Sequence, residues 1–284
     1  MDRAVSVHVG VNQPRERSPG DPLKHSEATA WRMAELAHQA GYRSLRVLQG
    51  PEATRQAVHD ALAGAASALE NGDILFVSFS GHGTRLRDFG AKQDERDPWD
   101  EAWCLYDSML VDDQLAGYWR LFNAGVRILV VSESCYGGGM GRWEDRSAAQ
   151  GSMAAGRRPA RVLRRPRRSP PGAEDASSPT APCIMRAPRD ADGIQASLLL
   201  LSACREDQLA QDGLFSGKLF DVWNQGAFDG SLCELYRQVR KRVMADPCKQ
   251  EPRIQMFGTD DPRFSIEPAI KLGRRTAGRR PGRR

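Results

Sequence analysis

Short, almost unbroken apolar runs alternate with stretches of helical spacing through the first half of the chain. AVSVHVGVN (4–12) reads as a strand, and SEATAWRMAELAHQAGY (26–42) carries Ala30, Met33, Ala34 and Ala37 on one helical face. SLRVLQG (44–50) reads as a second strand and leads through Thr54 into an Ala-rich helix ending near Leu69. ILFVSFS (74–80) and VRILVVS (126–132) are continuous apolar runs, the pattern of strands buried on both faces. The alternation predicts an α/β fold with a mainly parallel central sheet flanked by helices.

The pattern breaks twice. Residues 88–113 hold nine carboxylates against Lys92 and Arg96 and read as an acidic excursion, too polar for core, pinned to the body by Trp99, Trp103 and Tyr106. Residues 141–193 are rich in Arg, Pro, Gly, Ala and Ser without periodicity, and so few apolar groups cannot offset the entropy of ordering the chain. Order resumes with a strand at IQASLLLLSAC (194–204), helices at 214–228 and 232–244, and one short strand in the Pro-punctuated stretch that follows. The expected organisation is a large portion at 1–140, a linker at 141–193, a small portion at 194–268 that completes the sheet, and a basic tail at 269–284.

Charge refines this division. The net charge of +5 suggests nucleic acid, yet seven arginines fall in 157–168 and six in 272–284, and setting these thirteen aside leaves the rest near −8. The arms would bind polyanions non-specifically, and no aromatic residues are interleaved with their arginines as stacking platforms. No run of eighteen apolar residues exists, so no membrane partner is expected. The N-terminus lacks the charged-then-apolar layout of a secretory signal, so the mature chain is expected to begin at its start, in the cytoplasm. The six cysteines form no CxxC pair and no Cys/His cluster, which argues against a disulfide framework or a zinc site.

Two strand ends carry the candidate chemistry. ILFVSFS stops at Ser80-Gly81-His82-Gly83, and VRILVVS stops at Glu133-Ser134-Cys135-Tyr136-Gly137. Reactive groups in an open parallel sheet gather at the carboxyl ends of strands, so neighbouring strands would bring His82 and Cys135 together. An imidazole that takes the thiol proton keeps a nucleophilic thiolate available near neutral pH. The backbone N–H groups of Gly83 and Cys135 are candidates for an oxyanion hole. No metal or organic cofactor is required by such a reaction. Taken singly, a His in a Gly-rich loop usually hydrogen-bonds locally and a Cys after a strand usually packs; it is their joint placement that points to catalysis.

SFSGHGT, DERDPWDEAWCLYDSMLVDDQL, VRILVVSESCYGGG and LLLLSACREDQLAQDGLFSGKL, in that order, resemble the bacterial caspase-like and metacaspase group of cysteine peptidases. The resemblance implies a caspase fold, protein or peptide substrates, His82 as base and Cys135 as nucleophile. It places the often-cleaved loop of that family at 141–193, where an Arg-directed enzyme would process itself within 157–168. The family's Asp-Ser-Cys-His-Ser-Gly reads Glu-Ser-Cys-Tyr-Gly-Gly here, residues 133–138. The family's preference for cleavage after Arg or Lys rests on acids that correspond to Glu133 and Asp207, whereas the third acidic position is Thr29. Calcium as an activator is implied at Asp112 and Asp113, with Asp97 a looser candidate, against the alternative of a solvated acidic loop with helix caps. Two other readings stand beside the peptidase: a catalytically impaired caspase-fold interaction module, and a nucleic-acid-associated protein acting through its basic arms.

Overall fold

The computed structural model describes residues 3–15, 21–87, 99–134, 184–186, 193–205, 208–248, 250–267 and 270. The apolar runs form strands β1 (Ala4–Gly10), β2 (Ser44–Gln49), β3 (Ile74–Ser80), β7 (Arg127–Glu133) and β9 (Ser197–Ser202). All seven residues of β3 and all seven of β7 are buried, as continuous apolar runs require. With β10 (Arg253–Gly258) and β8 (Met185–Arg186) they make one sheet in the order β2-β1-β3-β7-β9-β10-β8. Every pairing is parallel except β9 with β10. The strand β8 falls inside the span whose composition reads as linker; residues 141–183 and 187–192, including the arginines of 157–168, lie outside the described residues, as do the tail arginines of 272–284.

Side chains alternate between the two faces of this sheet, and each face is covered by helices. Phe76, Leu129, Val131, Leu199 and Leu201 pack beneath α1 (Ser26–Gln39), α4 (Leu214–Trp223) and α5 (Leu232–Met244). Leu75, Val77, Ile128, Val130 and Leu198 pack beneath α2 (Arg55–Ala68) and α3 (Asp112–Trp119). The expected face of α1 is the buried one, with Ala30, Met33, Ala34 and Ala37 all in the core. Helix starts follow their caps: the Thr54 hydroxyl accepts the Ala57 N–H at 3.2 Å, and Ser231 and Glu234 form a capping box on α5. A final short helix, α6 (Arg263–Ile266), follows β10.

Two departures from the sequence pattern have local causes. The helix expected over 214–228 ends at Trp223, because Asn224, Gln225 and Gly226 take left-handed backbone conformations that an α-helix cannot continue. The acidic excursion is not merely polar surface. It contributes β5 (Trp99–Cys104) and β6 (Met109–Val111), which with β4 (Gly83–Arg87) just before it form a second, antiparallel sheet, and Ala102, Trp103, Cys104, Leu105 and Leu110 are buried. Trp103 stacks on Phe79 with ring centroids 4.6 Å apart and planes 6° apart, so it does pin the excursion to the main sheet.

Candidate active site

The carboxyl ends of β3 and β7 lie side by side, with Ser80 opposite Glu133. The Gly81 N–H donates to the Glu133 carbonyl at 3.2 Å, which ties the turn after β3 to the end of β7. Gly81 cannot carry a side chain without disturbance: a Cβ there would sit 2.7 Å from Cζ of Phe79, whose ring is already held by Trp103. This turn delivers His82, half-buried, to the carboxyl end of the sheet.

Both ends of His82 are fixed. Its carbonyl accepts the Cys104 N–H at 2.9 Å, and its Nε2 lies 3.0 Å from the Asp21 carbonyl. A carbonyl only accepts, so Nε2 carries the hydrogen and a neutral His82 keeps its Nδ1 lone pair free to take a proton. Burial moves the imidazole below its ordinary value, opposed by the Asp21 hydrogen bond and by the charges of Asp212 and Asp21. The ring is therefore the neutral, basic form at pH 7. In the β4–β5 ladder, the Cys104-to-His82 bond flanks the Gly83–Trp103 pair, an arrangement that leaves the Gly83 N–H outside the ladder.

The end of β7 is equally braced. Ser132 and Ser134 hydroxyls lie 3.1 Å apart, and the Cys204 thiol at the end of β9 donates to the Ser134 carbonyl at 3.7 Å. Ser134 is the last described residue there, so Cys135 itself, like Asp207 and Asp97, lies outside the described residues. Two other cysteines are unsuited to nucleophilic work. Cys104 is buried, which pushes its thiol up to about 12, and Cys204 is buried with its thiol committed to backbone carbonyls. A second histidine near the sheet, His8, is buried with Nδ1 2.8 Å from the Ser78 hydroxyl and is pushed down to about 3 by burial, so it is locked neutral inside the core.

Beside this tip, Glu133 and Thr29 come close to one another. Glu133 is 5 % exposed; its Oε1 accepts the Ser216 N–H at 3.0 Å in the first turn of α4, while Oε2 is buried without a hydrogen-bond partner. Burial raises its carboxyl to about 7, reinforced by the Asp212 charge and opposed by hydrogen bonds from Ser216 and Phe215. The Ser216 hydroxyl lies 3.3 Å from the Thr29 hydroxyl, so positions 29 and 133, far apart in sequence, converge on one serine. The sequence pattern marked 214–228 only as a helix and gave Ser216 no role. A serine three residues after a Gly at a helix start is its only local signal.

Asp112 and Asp113 occupy the first turn of α3, exposed, with the Asp112 carboxylate accepting the Asp113 N–H at 2.9 Å. Carboxylates there complement the positive end of the helix. Among the described residues no three His, Cys, Asp or Glu side chains converge as metal ligands, whereas calcium takes six to eight oxygens. The described carboxylates thus do not by themselves fit that ion, and no step of the chemistry is routed through it.

The family model for Peptidase C14, the caspase domain, matches residues 12–261, nearly the whole described body. The chain belongs to the caspase family. Within that family it is similar to metacaspase-4 and metacaspase-7 of Arabidopsis thaliana, at 32 % identity over 88 residues and 33 % over 90. Each match covers 31 % of this caspase-family chain and 21 % or 22 % of the plant protein, so it spans only about a fifth of those relatives. The solved structure of protein GSU0716 from Geobacter sulfurreducens is alike over 95 % of this chain and 99 % of that one, with a TM-score of 0.69 and 29 % identity. The caspase fold read from the motifs is thus the fold observed. No helix among the described residues is long and apolar enough to cross a membrane.

Proposed function

We propose that this caspase-family chain is a cysteine endopeptidase working through His82 and Cys135, with a preference for Arg or Lys on the acyl side of the cleaved bond. The observation that carries the reading is the placement of His82: its imidazole stands at the tip of β3, beside the tip of β7, with Nδ1 left as the acceptor. Cys135 is the second residue after β7 ends.

The Cys135 thiol gives its proton to His82 Nδ1 as sulfur attacks the carbonyl carbon of the scissile peptide. The N–H groups of Gly83 and Cys135 hold the resulting oxyanion, each such donor contributing on the order of 3 kcal/mol in the transition state. His82 then returns the proton to the departing amine as the C–N bond breaks, which leaves a thioester on Cys135. Water deprotonated by His82 attacks that thioester, and the freed thiol recovers its proton. No metal or organic group takes part in these steps. If calcium acts as an activator, Asp112 and Asp113 would supply some of its oxygens, with Asp97 a looser candidate.

Glu133 and Asp207 would receive the guanidinium or ammonium of the substrate. Glu133 Oε2 is the acceptor still without a partner, while Thr29 and Ser216 offer hydroxyls in place of a further acid. The unpaired distribution of cysteines suits a reducing compartment, and we place the enzyme in the cytoplasm.

Cleavage of a positional peptide library, with calcium varied, tests this. The expected result is hydrolysis after Arg or Lys that vanishes in Cys135→Ala, together with covalent labelling of the wild-type thiol by a peptidyl electrophile. Labelling without cleavage would favour an impaired interaction module, and labelling that survives Cys135→Ala would remove Cys135 from the site.

A further inference from the structure

The orientation of His82 depends on one carbonyl, and that carbonyl belongs to a short strap, residues 21–25, leading into α1. The strap is held at two places. On one side, the Leu23 N–H donates to the Asn12 carbonyl at 2.9 Å, just past the end of β1. On the other, a single carboxylate oxygen, Asp212 Oδ2, accepts the Lys24 N–H at 2.7 Å and the His25 N–H at 3.2 Å. Asp212 comes from the far half of the chain, immediately before α4.

The fit between strap and helix entrance is close. Gly213, at φ +76°, lies flat against His25, and a Cβ there would stand 3.1 Å from that residue's side chain as well as being strained. The same entrance, three residues on, supplies the Ser216 N–H to Glu133. The start of α4 therefore touches the two halves of the site at once: the strap behind the base, and the carboxylate of the specificity pocket.

We propose that Asp212 is a positioning residue for His82, holding the 21–25 strap so that the Asp21 carbonyl keeps hydrogen on Nε2 and leaves Nδ1 as the proton acceptor. The inference rests on the dyad described above, in which Nδ1 must be the acceptor. Asp212 acts through two backbone amides, then through the Asp21 carbonyl. Loss of the carboxylate frees the strap, so the ring can turn or take the other tautomer, and the proton acceptor is misdirected.

The test compares Asp212→Ala with Asp212→Asn in the full chain. Alanine removes the acceptor from both amides, whereas the Asn side-chain carbonyl restores a neutral acceptor at the same reach. In Asp212→Ala, kcat is expected to fall about a hundred-fold, as for a misplaced catalytic group, with KM changed no more than about threefold. In Asp212→Asn most of the kcat should return. Imidazole 15N shifts, with the His82 signals assigned through His82→Gln, should show the Nε2–H tautomer in wild type and Asn, and its loss in Ala. Wild-type kcat and tautomer in Asp212→Ala would overturn the proposal, and so would an Asn variant as damaged as Ala. If Asp212→Ala does not fold, Asp212→Ser, too short to span both amides, takes its place with the same expectations. Should no Cys135-dependent cleavage exist in any preparation, the peptidase reading fails, and the tautomer comparison still decides the role of Asp212.

Discussion

His82→Ala should lower kcat/KM for peptide cleavage by about a thousand-fold, within the usual contribution of a positioned general base. Removing the imidazole leaves Cys135 as an unassisted thiol, and a free cysteine thiol, with an ordinary value of about 8.5, is only a few per cent thiolate at pH 7. Labelling of Cys135 by an electrophile in this variant should therefore climb with pH toward that value, while the wild type labels well at neutral pH. The wild-type acid limb should also fall below the ordinary imidazole value, because burial lowers His82 and the base stays neutral into mildly acidic solution. Stopped-time labelling across pH 5 to 9 in both forms, a range chosen to bracket His and Cys titration, reads both effects. Identical pH profiles for variant and wild type would remove His82 from the proton transfer.

Glu133→Gln is expected to move stability and cleavage in opposite directions. Glu133 is raised from the ordinary carboxylate value of 4.5 to about 7 by burial. Between those values the folded chain keeps a proton that the unfolded chain releases, so stability from this group falls as pH rises through the window and stays low above it. A displacement of that size corresponds to about 3 kcal/mol. Gln keeps the acceptor for the Ser216 N–H but carries no proton to lose, so the difference between variant and wild type should grow from pH 4.5 to 7. Because the amide brings an unpartnered buried N–H of its own, the net gain at pH 8 should be about 1–2 kcal/mol. Cleavage after Arg should fall about a hundred-fold, since a desolvated carboxylate facing a cation is lost. Chemical denaturation at three pH values and cleavage of an Arg substrate measure the pair. A stabilised variant with unchanged Arg cleavage would make Glu133 a structural acid and remove it from the specificity pocket.

This opposition is the usual mark of a site that holds an unfavourable charge for use. It also bears on why the site was only partly legible in the sequence. His82 and the end of β7 could be placed because β3 and β7 are unbroken apolar runs, and such runs have one reading at that length. Glu133 could be placed beside position 29 only through the family resemblance, since nothing in the spacing brings α1 to β7. Ser216, Asp212 and Asp21 could not be found at all. Ser216 reaches Glu133 with its backbone N–H, Asp212 acts on two backbone amides, and Asp21 contributes a carbonyl that every residue carries.

The fold divides along similar lines. Helix α5 could be bounded to the residue because its capping box and apolar face agree with one another. The end of α4 could not, since three successive left-handed residues at Asn224–Gly226 are a tertiary choice that only Gly226 signals. The sheet of β4, β5 and β6 escaped notice because its buried apolar members, Ala102, Trp103, Cys104 and Leu110, are too few to outweigh the nine carboxylates of residues 88–113. Burial of a short strand is decided by what packs on it, here Phe79 on Trp103 of the central strand β5, rather than by its own composition.

Strands β7 and β9 are parallel neighbours in register from Arg127–Ser197 to Ser132–Ser202, although the whole arginine-rich stretch separates them along the chain. The pieces before and after that stretch also share a core, in which Phe76 and Leu129 from one side meet Leu199, Phe215 and Leu235 from the other. A single peptide bond hydrolysed between 141 and 183 would therefore alter connectivity and leave the particle whole. The nicked chain would travel as one body through a sizing column, and only detergent or denaturant would reveal that it had become two polypeptides.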